Sequence, residues 1–223
     1  MPAPATPADP EPLLRLLLPG QPARVREALA WLARPGHHLL GRQDPRYPPL
    51  LRQAPQPPQA LFVDGDPDLL WLPAVAVVGS RGASAGGCDN ARRFSATLCR
   101  AGVAITSGLA AGIDASAHQA ALATPAGITL AVLGTGPDLA YPRRHADLRE
   151  RIAAQGAVVS EHPPGTAART WHFPARNRII AGLSLGTLVV EAALRSGALI
   201  TARLAAEAGR EVFAIPGSIH QPQ

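Results

Sequence analysis

Lysine is missing from this 223-residue sequence, and all 21 of its basic residues are Arg. Without lysine no G-x-x-x-x-G-K-[ST] phosphate loop exists, so ATP hydrolysis loses support. Cysteine is scarce too. Cys88 and Cys99 have no second pair and no neighbouring His to complete a ligand set. A structural zinc or a disulfide framework is therefore not expected, and the sequence calls for no metal or cofactor. No G-x-S-x-G elbow surrounds a serine and no H-E-x-x-H pair occurs, which argues against nucleophilic and metalloenzyme chemistry. No apolar run approaches the roughly 20 residues that cross a bilayer. The first ten residues lack the basic-then-apolar order of a secretory signal, so a cytoplasmic location with no membrane partner is the default expectation. Aromatic residues make up only 4% of the chain.

What is present is apolar, proline-rich and unevenly charged. At 47% hydrophobic the chain can bury a full core and a small second domain. The formal net charge is +5. Residues 1–73 carry seven Arg against seven acids, whereas residues 74–223 carry fourteen against nine. Abundant Ala, Pro, Gly and Arg reflect GC-rich coding, so the number of arginines says less than their placement. The excess in the later part favours an anionic partner there.

Residues 1–10, rich in Pro and Ala, read as a disordered tail. Residues 11–40 read as a small helical domain, because two apolar-periodic runs, Glu11 to Leu18 and Ala23 to Ala33, flank Pro19-Gly20. Prolines recur from 41 to 59 and suit an extended connector. From residue 60 onward, after a short edge strand at Ala60 to Val63, apolar strands alternate with helices to the end of the chain. The strands fall near 74–78, 103–106, 128–133, 157–160, 187–190 and 212–215. That order predicts an α/β fold, a doubly wound, mostly parallel Rossmann-like sheet over 60–223. Ligands of such sheets bind outside the carboxyl ends of the strands, and the sequence places its motifs there.

Gly79-Ser80-Arg81-Gly82 follows the first of these strands. Glycine freedom beside a hydroxyl and an arginine suits a phosphate wrapped by main-chain N–H groups, although a plain tight turn also needs glycine. It is not a dinucleotide fingerprint, since G-x-G-x-x-G is absent. Ser107-Gly108 opens the next rim segment, which runs to Asp114. Asp114 and His118 share a helix face, and capping by Asp114 is preferred over an acid/base or metal pair. Phe173-Pro174-Ala175-Arg176-Asn177-Arg178 sets an aromatic and two arginines at a helix expected over Pro174 to Leu183. It reads either as a phosphate-and-base platform or as an arginine-decorated surface helix. Glu161 and Glu191 are the carboxylates at strand ends. Among so many arginines they more often orient than react.

Taken together, Val78 to Arg81, Ser107 to Asp114 with Ala117-His118, Tyr141-Pro142, Ser160-Glu161, Phe173 to Ser184, Glu191, Arg195 to Thr201 and Pro216-Gly217 strongly resemble the DprA/Smf family of DNA-processing proteins. The similarity covers roughly 74–217, and Asp44 to Pro48 also looks like the family's connector. The resemblance implies a non-enzymatic protein that binds single-stranded DNA without strong sequence preference. It implies protection of that DNA and help in loading the RecA recombinase during natural transformation. It also implies a homodimer formed mainly through the later part of the sheet domain, and an N-terminal domain resembling a sterile alpha motif. By resemblance Arg81, Arg176 and Arg178 meet phosphates, Gly79, Ser80, Ser107 and Gly108 make close contacts, Phe173 stacks on a base, and Asn177 orients the helix start or a nucleotide. No residue is assigned a catalytic role.

The sequence departs from the family in two respects. Relatives often continue into a C-terminal winged-helix-like domain, whereas this chain stops at Gln223, as a truncated form or a short member. Basic groove positions that are often lysine in relatives are necessarily arginine here, which keeps charge and alters geometry. The alternative is a nucleotide-processing enzyme resembling Rossmann-like phosphoribohydrolases, through Gly182 to Thr187 with Glu191. That match lacks the dense glycine run and the paired glutamates of those enzymes.

Overall fold

The computed structural model describes residues 9–194 and 196–216. Residues 1–8 of the expected tail, Arg195 and Gly217 lie outside the described residues. Two helices come first, α1 (Glu11–Leu17) and α2 (Pro22–Leu32), each with a proline in its first turn, where a missing N–H leaves no bond unmade. Leu14, Leu18, Val25, Ala28 and Trp31 form their buried seam, and that seam closes on Phe62. The expected helical unit therefore ends early. Residues His37–Gly41 are a strand, β1, paired antiparallel with β2 (Ala60–Gly65), with Leu39 opposite Phe62.

The Pro-rich connector is also more structured than its composition predicts. It holds a short helix, α3 (Pro49–Gln53), and a fully buried Tyr47 whose Oη donates to the Pro58 carbonyl at 2.8 Å. Burial pushes the Tyr47 hydroxyl well above its ordinary range, so it stays a neutral donor. β2, expected at an edge, is flanked on both sides.

The regular alternation then follows as β3 (Ala74–Val78), α4 (Ala85–Arg100), β4 (Ala104–Ser107), α5 (Ile113–Ala123), β5 (Thr129–Val132), α6 (Ala146–Gln155), β6 (Ala157–Ser160), α7 (His172–Gly182), β7 (Gly186–Val189), α8 (Gly197–Glu207) and β8 (Glu211–Ala214). The sheet order is β1-β2-β6-β5-β4-β3-β7-β8. The six strands from β6 to β8 in this order run parallel to one another, while β2 is antiparallel to β6 and β1 is antiparallel to β2.

Alternate residues of each strand serve opposite faces. Ala74, Ala76 and Val78 of β3 and Val159 of β6 join Ile179, Ile180 and Leu183 of α7 on one face. Val77 and Ile105 pack with α4 and α5 on the other, where Val158 meets Ile152 of α6. Phe62 points to this second face, while Leu61 and Val63 join the first. The α1–α2 pair thus extends the α4–α6 layer. Arg149 of α6 pairs with Asp64 on the same side. Near-continuous apolar strands follow from coverage on both faces.

β3 has β4 on one side and β7 on the other, and the connections after β3 and β6 cover opposite faces. The chain therefore reverses its winding between β3 and β7, and the crevice beyond their carboxyl ends is where such sheets bind ligands.

Candidate functional site

A cleft of about 480 Å³ opens at this switch point. Its floor is Val78, Gly79 and Ser80, one wall is Phe173, Pro174 and Asn177 of α7, and the other is Ser196, Gly197 and Thr201 around the start of α8. Arg81 and Tyr141 stand at its mouth, both exposed. The Gly79–Ser80 turn is drawn tight because Ser80 N donates to Glu191 O at 2.6 Å. A Cβ on Gly79 would lie 2.8 Å from the same carbonyl, so only glycine lets the ends of β3 and β7 approach this closely.

Phe173 lies inside the first turn of α7 rather than just outside it, because the helix begins at His172. The His172 Nδ1 contacts the Gly134 carbonyl at 3.0 Å and fastens that turn to the loop after β5. The Phe173 ring is half-buried, 4.9 Å from Tyr141 between centroids. The Arg81 guanidinium carbon sits 5.6 Å from the ring centre, a cation–π contact that holds a full charge beside an aromatic at the cleft mouth.

The two arginines of α7 diverge. Arg176 is only 5% exposed. Its Nη1 donates to Gly108 O at 2.5 Å and also to Val132 O, which joins the carboxyl ends of β4 and β5 from beneath. Burial pushes Arg176 down to about 10, with the Asp114 carboxylate opposing that shift. Nη1 is thus taken up by protein carbonyls, yet Arg176 also lines the cleft, with its guanidinium carbon 6.0 Å from the Phe173 ring centre and its buried Nε without a partner among the described residues. Arg178 leaves the cleft altogether. It forms a bidentate pair with Glu161 at 2.7 and 2.6 Å, facing the connector, where its Nε donates to Gln56 O. Burial works against the Glu161 carboxylate, yet Arg178 holds it below its ordinary range.

The remaining expected residues hold the rim together. Ser107 is fully buried, and its Oγ donates to Val77 O at 2.7 Å, across from β4 to β3. A Cβ on Gly108 would fall 2.5 Å from Cζ of Arg176, so glycine admits the guanidinium. Asn177, 7% exposed, donates from Nδ2 to Gly197 O and ties α7 to the start of α8. The cleft thus gathers Gly79, Ser80, Arg81, Phe173, Arg176 and Asn177, with Ser107 and Gly108 behind it and Arg178 elsewhere. Tyr141, Ser196 and Gly197 join it from segments whose side chains announce no chemistry in sequence.

Asp114 does not cap its own helix. It accepts from Gly108 N at 3.1 Å and Ala110 N at 3.3 Å, folding the loop before α5 back onto itself. Burial raises its pKa while Arg176 pulls the other way. Its expected partner His118 is fully buried and faces Thr129. Thr129 Oγ1 donates to Ile105 O, so it accepts from His118 Nδ1–H at 2.7 Å and leaves Nε2 as an unprotonated nitrogen with no partner among the described residues. Protonation would place an N–H where nothing accepts it, and burial pushes His118 down to about 3.

The folded value lies below the unfolded one, so the unfolded chain binds more protons at pH 3 to 6.5. Stability is full above about pH 6.5 and falls by about 1.4 kcal/mol for each pH unit below it from this group. Urea midpoints at pH 7 and pH 5 should differ more in wild type than in His118→Asn. Equal differences would show that His118 is not the origin.

Glu191, the candidate carboxylate of an enzymatic reading, is engaged at the start of α4. It accepts from Ser84 N at 3.1 Å and Ser84 Oγ at 2.6 Å, and a Cβ on Gly87 would overlap its Oε2. A carboxylate at a helix N-terminus is stabilised by the N–H groups there.

An α/β sheet with a glycine-floored, arginine- and aromatic-lipped cleft at its switch point defines a Rossmann-like domain suited to a phosphate-bearing ligand. The family model for DNA recombination-mediator protein A matches residues 38–223, and the chain belongs to that family. It is 51% identical over 199 residues to Protein Smf of Escherichia coli K12, an alignment covering 89% of this chain and 53% of that protein. With DNA processing protein DprA of Streptococcus pneumoniae it shares 49% identity over 176 residues, 79% of this chain and 62% of that one. The chain thus spans less than two thirds of either relative.

The X-ray structure of the S. pneumoniae protein superposes with a TM-score of 0.82 at 44% identity, covering 89% of this chain and 68% of that one. DNA processing protein A of Helicobacter pylori, whose structure is described for its single-stranded DNA binding mode, superposes with a TM-score of 0.73 at 28% identity, covering 78% of this chain and 80% of that one. Among the described residues no helix is long and apolar enough to cross a membrane.

Proposed function

We propose that the chain binds single-stranded DNA in the switch-point cleft without catalysing a reaction on it. In this reading it protects the strand and helps load the RecA recombinase during natural transformation, as a cytoplasmic homodimer. The α1–α2 pair is read as part of the sterile-alpha-motif-like element that the family resemblance implies. The observation that carries the proposal is the placement of Arg81 over Phe173 at the lip of a glycine-floored cleft. A charge that can move onto a phosphate uncovers a ring that can take a base, and both features are indifferent to base identity. Gly79 and Ser80 bring backbone and hydroxyl to the same point. Ser107, Gly108, Arg176 and Asn177 act as positioning residues, and the charge of Arg178 is matched by Glu161.

The test is a salt titration of binding to fluorescent oligo-dT, beside a mass measurement in solution. Arg81→Ala removes one phosphate neutralisation and should flatten the dependence of log K on log salt by about 0.7. Phe173→Ala should weaken binding by about 1–3 kcal/mol with the slope unchanged. Neither substitution should alter the fold. Unchanged affinity and slope in both variants would overturn the assignment of the cleft, and absence of any oligo-dT binding by the wild type would overturn the function.

A further inference from the structure

The cleft accounts for one side of the α7 N-terminus, and the other side carries a second one. A groove of about 640 Å³ runs between the connector at Gln56–Gln59 and α7, lined by His162, Trp171, His172 and Arg178. Trp171 is 63% exposed at its edge. An indole left this open keeps most of its ring available to a ligand, and Trp is the best aromatic platform for a cation or a base. The Arg169 guanidinium carbon lies 5.5 Å from its ring centre, repeating the Arg81–Phe173 pairing of the first cleft. His172 supports the indole edge-on at 5.8 Å and itself stacks on His162 at 3.9 Å, so the platform stands on a fixed base. Arg178 neutralises the only carboxylate lining the groove, Glu161.

The two clefts adjoin. Thr170 lines the first and Trp171 the second, and Phe173 and Trp171 are two residues apart, at most about 7 Å along the chain. We infer that Trp171 and Arg169 form a second stacking position for single-stranded nucleic acid, which a strand leaving the Phe173 cleft reaches by passing around the N-terminus of α7. This inference rests on the proposed function above. The occupant is fixed by continuity with the first cleft and by chemistry. A flexible polyanion with planar bases answers both an exposed indole and an exposed guanidinium, and one strand can occupy both positions only if it is long enough.

Length is therefore the readout. Binding of oligo-dT of about 6 and about 16 nucleotides should be compared by anisotropy for wild type, Trp171→Ala and Trp171→Phe. Trp171→Ala is expected to weaken the longer strand about tenfold, to leave the shorter one unchanged, and to be largely rescued by Trp171→Phe. In a Trp71→Phe background, where Trp31 is buried, tryptophan fluorescence should be quenched by the longer strand and not by the shorter one. If Trp171→Ala binds both lengths as wild type does, the second position is overturned while the function stands. Equal loss at both lengths would overturn it too, by assigning Trp171 to the first cleft. If wild type binds neither length, the proposed function itself fails.

Discussion

Arg176→Met should lower the thermal midpoint by roughly 6–20 °C, more than any other single change at the rim. Methionine fills a similar volume, so the loss is electrostatic. The Gly108 and Val132 carbonyls, each accepting from Nη1, would lose that donor at a buried position, beside an Asp114 carboxyl that burial already pushes toward neutrality. Removing one member of a buried ionic network costs about 3–5 kcal/mol, because its partners stay desolvated. For a domain of this size each kcal/mol is worth about 2–4 °C. The double variant Arg176→Met, Asp114→Asn should recover part of the loss, since it also removes the charge that Arg176 faces. Binding of oligo-dT should weaken in Arg176→Met with the salt slope intact, which separates a positioning residue from a phosphate contact. A midpoint shift under about 2 °C, or a flattened salt slope in a variant that still melts like wild type, would assign Arg176 to the ligand instead.

That distinction was available in part from sequence. Residues two apart on a helix point about 200° away from each other, so Arg176 and Arg178 cannot both face one cleft. Which one turns inward was not available, because it depends on the Gly108 and Val132 carbonyls, 68 and 44 positions away. The parallel strands were legible because each is buried on both faces and reads as a short apolar run bounded by glycine or small residues. β1 was not. His37-His38-Leu39-Leu40 is short and half polar, and it becomes a strand only by pairing with β2, whose register sets Leu39 against Phe62. Likewise the connector's prolines disguise the buried Tyr47 and Leu51, whose burial depends on α7 packing above them. Trp171 was not legible for the opposite reason: the exposure of an aromatic is a tertiary fact that its own sequence position does not carry.

Gly112→Ala should damage binding and stability together, and it tests whether the floor of the cleft matters as much as its lip. Gly112 adopts φ 75° and ψ −121°, a region essentially closed to residues with a side chain. Its position is also crowded. A Cβ there would overlap the Ser80 carbonyl and lie 2.8 Å from Arg81 O, both backbone atoms that cannot turn aside. The amide after it, Ile113 N, donates to Ser80 O at 3.2 Å, so the same turn that starts α5 holds Ser80 and Arg81 in place. Backbone strain alone is worth about 1–3 kcal/mol, or a fall of roughly 2–12 °C. Relieving it requires the Ser80–Arg81 turn to move away from Phe173. Oligo-dT affinity should therefore drop at least as far as in Arg81→Ala, although no side-chain atom of the proposed contact has been removed. Gly82→Ala is the matched control, since a Cβ there meets nothing within 4 Å and its backbone is ordinary. It should melt and bind like wild type. If Gly112→Ala melts lower yet keeps wild-type affinity, the turn's position is immaterial to the ligand, and the cleft floor loses its place in the site.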